Sequence, residues 1–293
     1  MTEFDLRQRA IALYDAFTHG QRDRRAFMRE LTVLAGGAVA AQALLATIAA
    51  DPAAAAIVAV TDPRVRAQEV RWAGANGHMM KGYSARPAGR AVKRPAVMVI
   101  HENRGLNEHI RDVARRVALA GFVAVAPDFL SPVGGTPADE TIANEMIGKL
   151  DLAATVADAV ATVDWLRRGS RMTGKVGAVG FCWGGAMVNR IAVAAGTGLS
   201  AGVAYYGPAP APAEAARVRA TLMLHYAGLD ERVNASGRPW VDALKAAGVT
   251  TEAFVYDGVN HAFNNDTSVG RYDKAAADLA WERTTTFLKA KLA

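Results

Sequence analysis

Cysteine is nearly absent from this sequence, and its scarcity limits what the chain can be. The 293 residues include one cysteine, Cys182, so no disulfide can form within the chain. The sequence also lacks a Cys-x-x-Cys pair or a Cys/His cluster with the spacing of metal ligands. We therefore expect no metal and no cofactor, and a thiol that is either free or bonded to another chain.

Long runs of one charge are lacking too. The formal net charge is +6, but lysine and arginine are dispersed among the acidic residues, without the block of about five like charges that is typical of a binding tail. We therefore expect no nucleic-acid partner, whereas a basic surface favours small anionic molecules. Hydrophobic residues make up 51% of the chain, enough for one α/β domain with a large buried core and an appendage.

Residues 1–60 differ from the rest of the chain and resemble a twin-arginine export signal. The Arg24-Arg25 pair precedes a weakly hydrophobic stretch that is rich in glycine, alanine and leucine. Residues 53–56 are all alanine and fit a cleavage site of the A-x-A type. Gln42 interrupts the hydrophobic stretch, so we expect no stable membrane span.

Two interpretations of this segment stay open. A cleaved signal implies that the remaining domain, residues 61–293, acts in the periplasm. Alternatively, residues 1–60 are retained in the cytoplasm as a helical arm that packs on the domain or on a partner subunit, which would produce a homo-oligomer. The arm has an amphipathic start, with apolar residues at Phe4, Leu6, Ile11, Leu13, Tyr14 and Phe17.

From residue 64 onward the pattern is typical of an α/β domain. Two alternating segments, 65–72 and 79–85, are joined through Asn76-Gly77, which predicts an antiparallel hairpin. Short apolar runs predict further strands at residues 96–100, 123–126, 176–181, 202–206, 221–225 and 252–256. Helix-length stretches lie at residues 107–119, 152–167, 186–195, 239–247 and 272–292. We predict a mostly parallel sheet with an antiparallel N-terminal edge and helices on both faces.

The clearest motif is Gly180-Phe181-Cys182-Trp183-Gly184-Gly185, which follows an apolar strand and leads into a helix. This is the pattern of a nucleophile elbow with sulfur in place of oxygen, where glycines let strand and helix approach closely. The following helix N-terminus favours a thiolate, and the amide of Trp183 would be an oxyanion donor. An inert core cysteine is the alternative, but packing alone would not require glycine on both sides.

An acid and a base follow the candidate nucleophile in the chain order of an α/β-hydrolase. Asp230 lies in Gly-Leu-Asp-Glu-Arg-Val after one predicted strand, and His261 lies in Asn-His-Ala-Phe after the next. Asp230 would orient the imidazole, and His261 would move protons between the thiol and the leaving group. Taken singly, Asp230 is better explained as a turn or helix-capping residue and His261 as an ordinary loop residue. Their positions after successive strands, in this order, favour catalysis.

These three motifs together resemble the dienelactone hydrolase (carboxymethylenebutenolidase) family over about residues 64–293. The resemblance implies an α/β-hydrolase fold and hydrolysis of a small-molecule lactone or ester. It also implies that Glu102, after the first core strand, pairs with the resting cysteine and helps to form the thiolate. The amide of Asn103 would complete the oxyanion hole. A salt bridge from Glu102 to Arg104 or Arg111 is the alternative.

One position departs from the family pattern. The family's lactonases hold the substrate carboxylate with arginines, one of them four residues after the catalytic histidine, where this chain has Asn265. An amide can bond a carboxylate but lacks the charged fork of arginine. Asn265, Arg104 and Arg271 are the candidate substrate-binding residues, with Arg232 as a further cation. The substrate stays open between lactone, ester and thioester, and a non-catalytic interaction protein on the same scaffold is the remaining alternative.

Overall fold

The computed structural model describes residues 2–20, 22–49 and 56–293, and it contains one eight-stranded sheet. The strands are β1 (Val65–Ala73), β2 (Met79–Pro87), β3 (Arg94–Ile100), β4 (Val123–Asp128), β5 (Met172–Phe181), β6 (Ala201–Tyr205), β7 (Thr221–Ala227) and β8 (Thr251–Tyr256). Their spatial order is β1-β2-β4-β3-β5-β6-β7-β8. The β1–β2 hairpin and the β2–β4 pair are antiparallel. The remaining strands, in the spatial order β4-β3-β5-β6-β7-β8, are paired in parallel, as the sequence predicted.

The α/β domain covers this sheet with helices on both faces. Its helices are α4 (Glu108–Leu119), α5 (Glu140–Gly148), α6 (Leu152–Arg168), α7 (Trp183–Ala194), α8 (Glu231–Ala246) and α9 (Lys274–Leu292). Alternate residues of β3 face opposite sides: Val97 and Val99 pack with α4 and α9, whereas Ala96 and Met98 pack with α6, α7 and α8. Because both faces are buried, the central strands are continuously apolar.

The prediction for α8 was wrong about where the helix begins. Pro239 fitted the first turn of a helix, but α8 starts at Glu231 and contains Pro239 in its interior. Asp230 caps this helix, and its Oδ1 accepts from the amide of Val233 at 3.2 Å. The early start matters because it holds Asp230 and Arg232 at the carboxyl edge of the sheet.

Three helices precede the sheet and form the arm: α1 (Glu3–Thr18), α2 (Arg24–Ala35) and α3 (Ala38–Ile48). Thr2 caps α1 with a reciprocal capping box, and Asp23 caps α2. The helices share a small apolar core of their own, in which Ile11, Phe27 and Leu31 are almost fully buried.

The arm also bonds to the α/β domain. Arg7 donates to the carbonyl of Gly270 at 2.6 Å, and the hydroxyl of Ser268 donates to the carbonyl of Ile48 at 2.9 Å. Among the described residues no single helix is long and apolar enough to cross a membrane; α2 and α3 together reach the length but are bent by 107°. Residues 53–55 of the expected cleavage segment lie outside the described residues.

Candidate active site

Cys182 sits at a sharp turn between β5 and α7. Its φ of 54° and ψ of −114° place a non-glycine residue in strained backbone geometry. A Cβ at Gly180 would lie 2.1 Å from the carbonyl oxygen of Gly184, and one at Gly184 would lie 2.3 Å from that of Ile100. Both positions therefore need glycine, which is the close approach that the elbow motif predicted.

Asp230 and His261 meet at the same edge of the sheet. Oδ2 of Asp230 lies 2.5 Å from Nδ1 of His261, and both side chains are almost fully buried. The carboxylate accepts a hydrogen bond from Nδ1–H of His261, so the other ring nitrogen, Nε2, faces away from Asp230. That Nε2 is buried and has no hydrogen-bond partner within the described residues.

The charges in this cluster favour a thiolate. Burial opposes ionisation of Cys182, but the facing charges of His19 and His261 lower the pKa of the thiol to about 6. Burial likewise disfavours a charged His261, but Asp230 and the thiolate raise the pKa of that ring to about 10. At neutral pH the site therefore holds a sulfur anion beside an imidazolium.

His19 is a residue of this cluster that no sequence motif indicated. It caps the end of α1, and its Nε2 lies 3.2 Å from Sγ of Cys182. A ring nitrogen of His19, one of His261 and Sγ of Cys182 all lie within 4.8 Å of one another, so these three side chains also have the spacing of metal ligands. The contact between His19 and Cys182 joins positions 163 residues apart, so no local motif could predict it.

The two expected oxyanion donors flank this cluster. Trp183 follows the cysteine directly, and its ring stacks on His101 with centroids 5.1 Å apart. Asn103 is fixed through its side chain, which donates to the carbonyl of Thr18 at 2.7 Å. In the part of the chain that the structure describes, neither backbone amide donates to a carbonyl or a side chain. Both are therefore free to bind an oxyanion.

Glu102 and Asn265 are bonded to each other. Nδ2 of Asn265 donates to Oε2 of Glu102 at 2.6 Å, and its Oδ1 accepts from the amide of Thr267 at 3.0 Å. Both groups of the Asn265 amide are thus engaged within the protein. The hydrogen-bond partner of the Cys182 sulfur is His19, whereas the resemblance implied Glu102. The alternative salt bridge of Glu102 is not formed either, since Arg104 pairs with Glu140 and Arg111 with Glu69.

The arm covers the other two candidate substrate-binding residues. Arg104 donates to the hydroxyl of Tyr14 at 2.5 Å and pairs with Glu140 at 3.1 Å. Arg271 donates to the carbonyl of Ile48 at 3.1 Å and to Asp15 at 3.3 Å. Arm residues therefore bond to the guanidinium groups of Arg104 and Arg271, which the sequence predicted as binding groups for a substrate carboxylate.

A cavity of about 720 Å³ opens onto Cys182 between the arm and the α/β domain. Its arm side includes His19 and Arg22, and its domain side includes Trp183, Arg190 and Arg232. Nη2 of Arg232 is buried without a hydrogen-bond partner within the described residues. The space next to the thiol is therefore large enough for a small organic acid or ester and is lined by cationic groups.

Comparison with known proteins places this geometry in a family. The model of the Dienelactone hydrolase family matches residues 80–292. An Escherichia coli (strain K12) protein provisionally named carboxymethylenebutenolidase is 31% identical over 256 residues, covering 82% of this chain and 93% of that protein. The crystal structure of a provisional dienelactone hydrolase from Klebsiella pneumoniae subsp. pneumoniae MGH 78578 has a TM-score of 0.68 at 28% identity, covering 77% of this chain and 98% of that one.

Proposed function

Because this chain belongs to the dienelactone hydrolase family, we propose that it hydrolyses small lactones or activated esters through an acyl-cysteine at Cys182. The observation that carries the proposal is the buried hydrogen bond between Asp230 and His261, set beside a cysteine on a strained elbow. This is the nucleophile, base and orienting acid of a catalytic triad. A thioester or general ester substrate would use the same residues.

In the proposed reaction the Cys182 thiolate attacks the acyl carbon, and the carbonyl electrons move onto oxygen. The amides of Trp183 and Asn103 stabilise that oxyanion. When the C–O bond breaks, protonated His261 gives its Nε2 proton to the departing oxygen. Neutral His261 then takes a proton from water, the resulting hydroxide attacks the thioester, and the thiolate leaves.

The acyl-enzyme itself is the intermediate to test for. Wild-type protein mixed with p-nitrophenyl acetate and quenched in acid should carry one acetyl group on the peptide that contains Cys182, detected by mass spectrometry. Release of p-nitrophenol should show a stoichiometric burst followed by turnover. A parallel panel of lactones, esters and thioesters ranks the substrates. Labelling without any turnover would favour a non-catalytic protein and contradict the proposal.

We further propose that Arg232 holds an anionic group of the substrate. It lines the cavity with Cys182, and its Nη2 has no hydrogen-bond partner among the described residues, whereas Arg104 and Arg271 are bonded to the arm. The first turn of α8 fixes its backbone. A substrate carboxylate would satisfy this guanidinium by a charge-assisted hydrogen bond.

Arg232→Gln is expected to lower kcat/KM for a carboxylate-bearing lactone by about 10- to 150-fold, the loss of about 1.5–3 kcal/mol from one charge-assisted bond. A neutral ester with a similar leaving group should be affected much less. Arg238→Gln is the control, because Arg238 is on the same helix but exposed and outside the cavity. Equal losses on both substrates would mean that Arg232 acts on the triad rather than on the substrate.

A further inference from the structure

We propose that His19, supplied by the N-terminal arm, is a second catalytic histidine that takes the proton of the Cys182 thiol. The proposal rests on the cysteine mechanism above and divides its proton transfers between two rings. His19 would form the nucleophile, and His261 would serve the leaving group and the attacking water.

The hydrogen bonds of His19 show which of its ring nitrogens can take the proton of the Cys182 thiol. Nδ1 lies 2.7 Å from the carbonyl oxygen of Asp15, which can only accept, so Nδ1 must carry a proton. Nε2, 3.2 Å from Sγ, then either accepts from the thiol or, as an imidazolium, donates to the thiolate. In both states one proton lies between Sγ of Cys182 and Nε2 of His19.

His261 is less suited to this first transfer. The hydrogen bond at Sγ is made by His19 at 3.2 Å, and Nε2 of His261 has no hydrogen bond of that geometry within the described residues, although its charge also acts on the sulfur. Burial works against a charged ring, but Asp230 and the thiolate hold the pKa of His261 near 10, so at neutral pH it already carries both protons. A protonated imidazole can donate to a leaving group and cannot accept from a thiol.

Several other ionisable groups act on the sulfur or lie near it within the described residues. They are His261 after β8, Arg104 after β3 and Tyr206 after β6, with Glu102 next to the last two. Burial holds the pKa of Tyr206 well above its usual range, so this phenol stays neutral. Glu102 is bonded to Asn265 and Arg104 to Tyr14. Among these described groups, His19 is the one whose hydrogen bond to Sγ the structure contains.

The arm holds this ring in a fixed position. Its backbone amide, at the end of α1, donates to the carbonyl of Asp15, the same oxygen that Nδ1 contacts. One residue earlier, the carbonyl of Thr18 accepts from Asn103 and Asn144, at 2.7 and 3.0 Å. These bonds anchor the end of α1 to the loop that carries the expected oxyanion donor. The arm thereby takes part in building the site that it covers.

The step balances without any further reactant. The S–H bond of Cys182 breaks, its electron pair stays on sulfur, and the proton forms the N–H bond at Nε2 of His19. The thiolate is consumed when the C–S bond of the thioester forms, His19 keeps the proton meanwhile, and the thiolate forms again beside the imidazolium when water hydrolyses the thioester. His261 gives one proton to the leaving group and regains one from water, so the net reaction consumes only water.

The thiol can be titrated directly, since Cys182 is the single cysteine of the chain. Thiolate absorbance and the rate of iodoacetamide alkylation, followed against pH on the full chain after dialysis against a chelator, should show a midpoint near 6. His19→Gln keeps a polar side chain but cannot take a proton. We expect it to raise that midpoint by about 1–2 pH units, because the charge of His261 still faces the sulfur. His19→Ala is the second variant and should shift the midpoint in the same direction.

Arg7→Gln is the matched control, because it removes a bond between the arm and Gly270 and does not contact the end of α1 that carries His19. An unchanged midpoint in both His19 variants would overturn the proposal, even if their activity fell. An equal rise in Arg7→Gln would also overturn it, since the arm would then act only by covering the thiol. The titration needs no substrate, so failure to find any turnover would contradict the proposed hydrolase and leave this result standing.

Discussion

Replacing Cys182 by alanine is expected to lower kcat for an activated ester by about 10⁴-fold or more, because no other nucleophile lies at the elbow. His261→Ala should cause a loss of similar size. The double variant should lose little more than either single variant, since residues that act in one step are not additive. Steady-state kinetics on p-nitrophenyl acetate and a lactone measure all three.

The controls for this series separate chemistry from folding. The thermal unfolding midpoint of Cys182→Ala should stay close to that of the wild type, because one sulfur atom is removed and the backbone turn keeps its two glycines. His78→Ala provides a histidine control, since His78 pairs with Asp158 and does not line the cavity. Activity within about tenfold of wild type in Cys182→Ala or His261→Ala would remove that residue from the mechanism.

Asp230→Asn is expected to lower kcat by about 10³-fold or more, because the carboxylate that orients His261 and stabilises its cation is lost. The pH profile should change as well. Burial opposes the charged ring, but Asp230 is the largest influence that raises the pKa of His261 to about 10, so its removal lowers that pKa. Protonated His261 serves the leaving group, so activity is present below this pKa and lost above it. The basic limb of kcat should therefore move to lower pH.

Asp273→Asn is the matched control for that variant. Like Asp230, Asp273 caps a helix through its side chain, accepting from the amide of Ala276 at 2.9 Å, but it contacts no histidine. Asparagine caps helices as well as aspartate does, so both variants should fold. An unchanged basic limb in Asp230→Asn, or an equal shift in Asp273→Asn, would show that the Asp230–His261 bond does not control the proton on the ring.

The fold was predictable because its signals are local. Continuous apolar runs identified the buried parallel strands, and Asn76-Gly77 identified the hairpin that joins β1 to β2. The start of α8 was missed because Pro239 fits the first turn of a helix, and only packing shows it inside a longer one. Helix α5 was missed as well; it packs Ala143 and Ile147 against Leu130.

The elbow and the order of the triad candidates follow from local sequence patterns alone. Gly180 and Gly184 are required by backbone atoms only a few residues away or on the adjoining strand, and Asp230 and His261 follow successive strands whose ends must meet at one edge. These constraints depend on residue types and their spacing, so they can be recognised without coordinates.

The contacts of the arm with the candidate active site, in contrast, depend on tertiary packing. No pattern in residues 1–60 indicates that His19, at the end of α1, contacts the sulfur of Cys182. Nor does any pattern indicate that Tyr14 and Asp15 bond to Arg104 and Arg271. The cavity lined by Arg232 could not be predicted either. Such contacts join side chains far apart in the sequence and depend on how separate apolar faces pack. Packing is set by the sum of many weak, non-directional contacts, which leave no local motif.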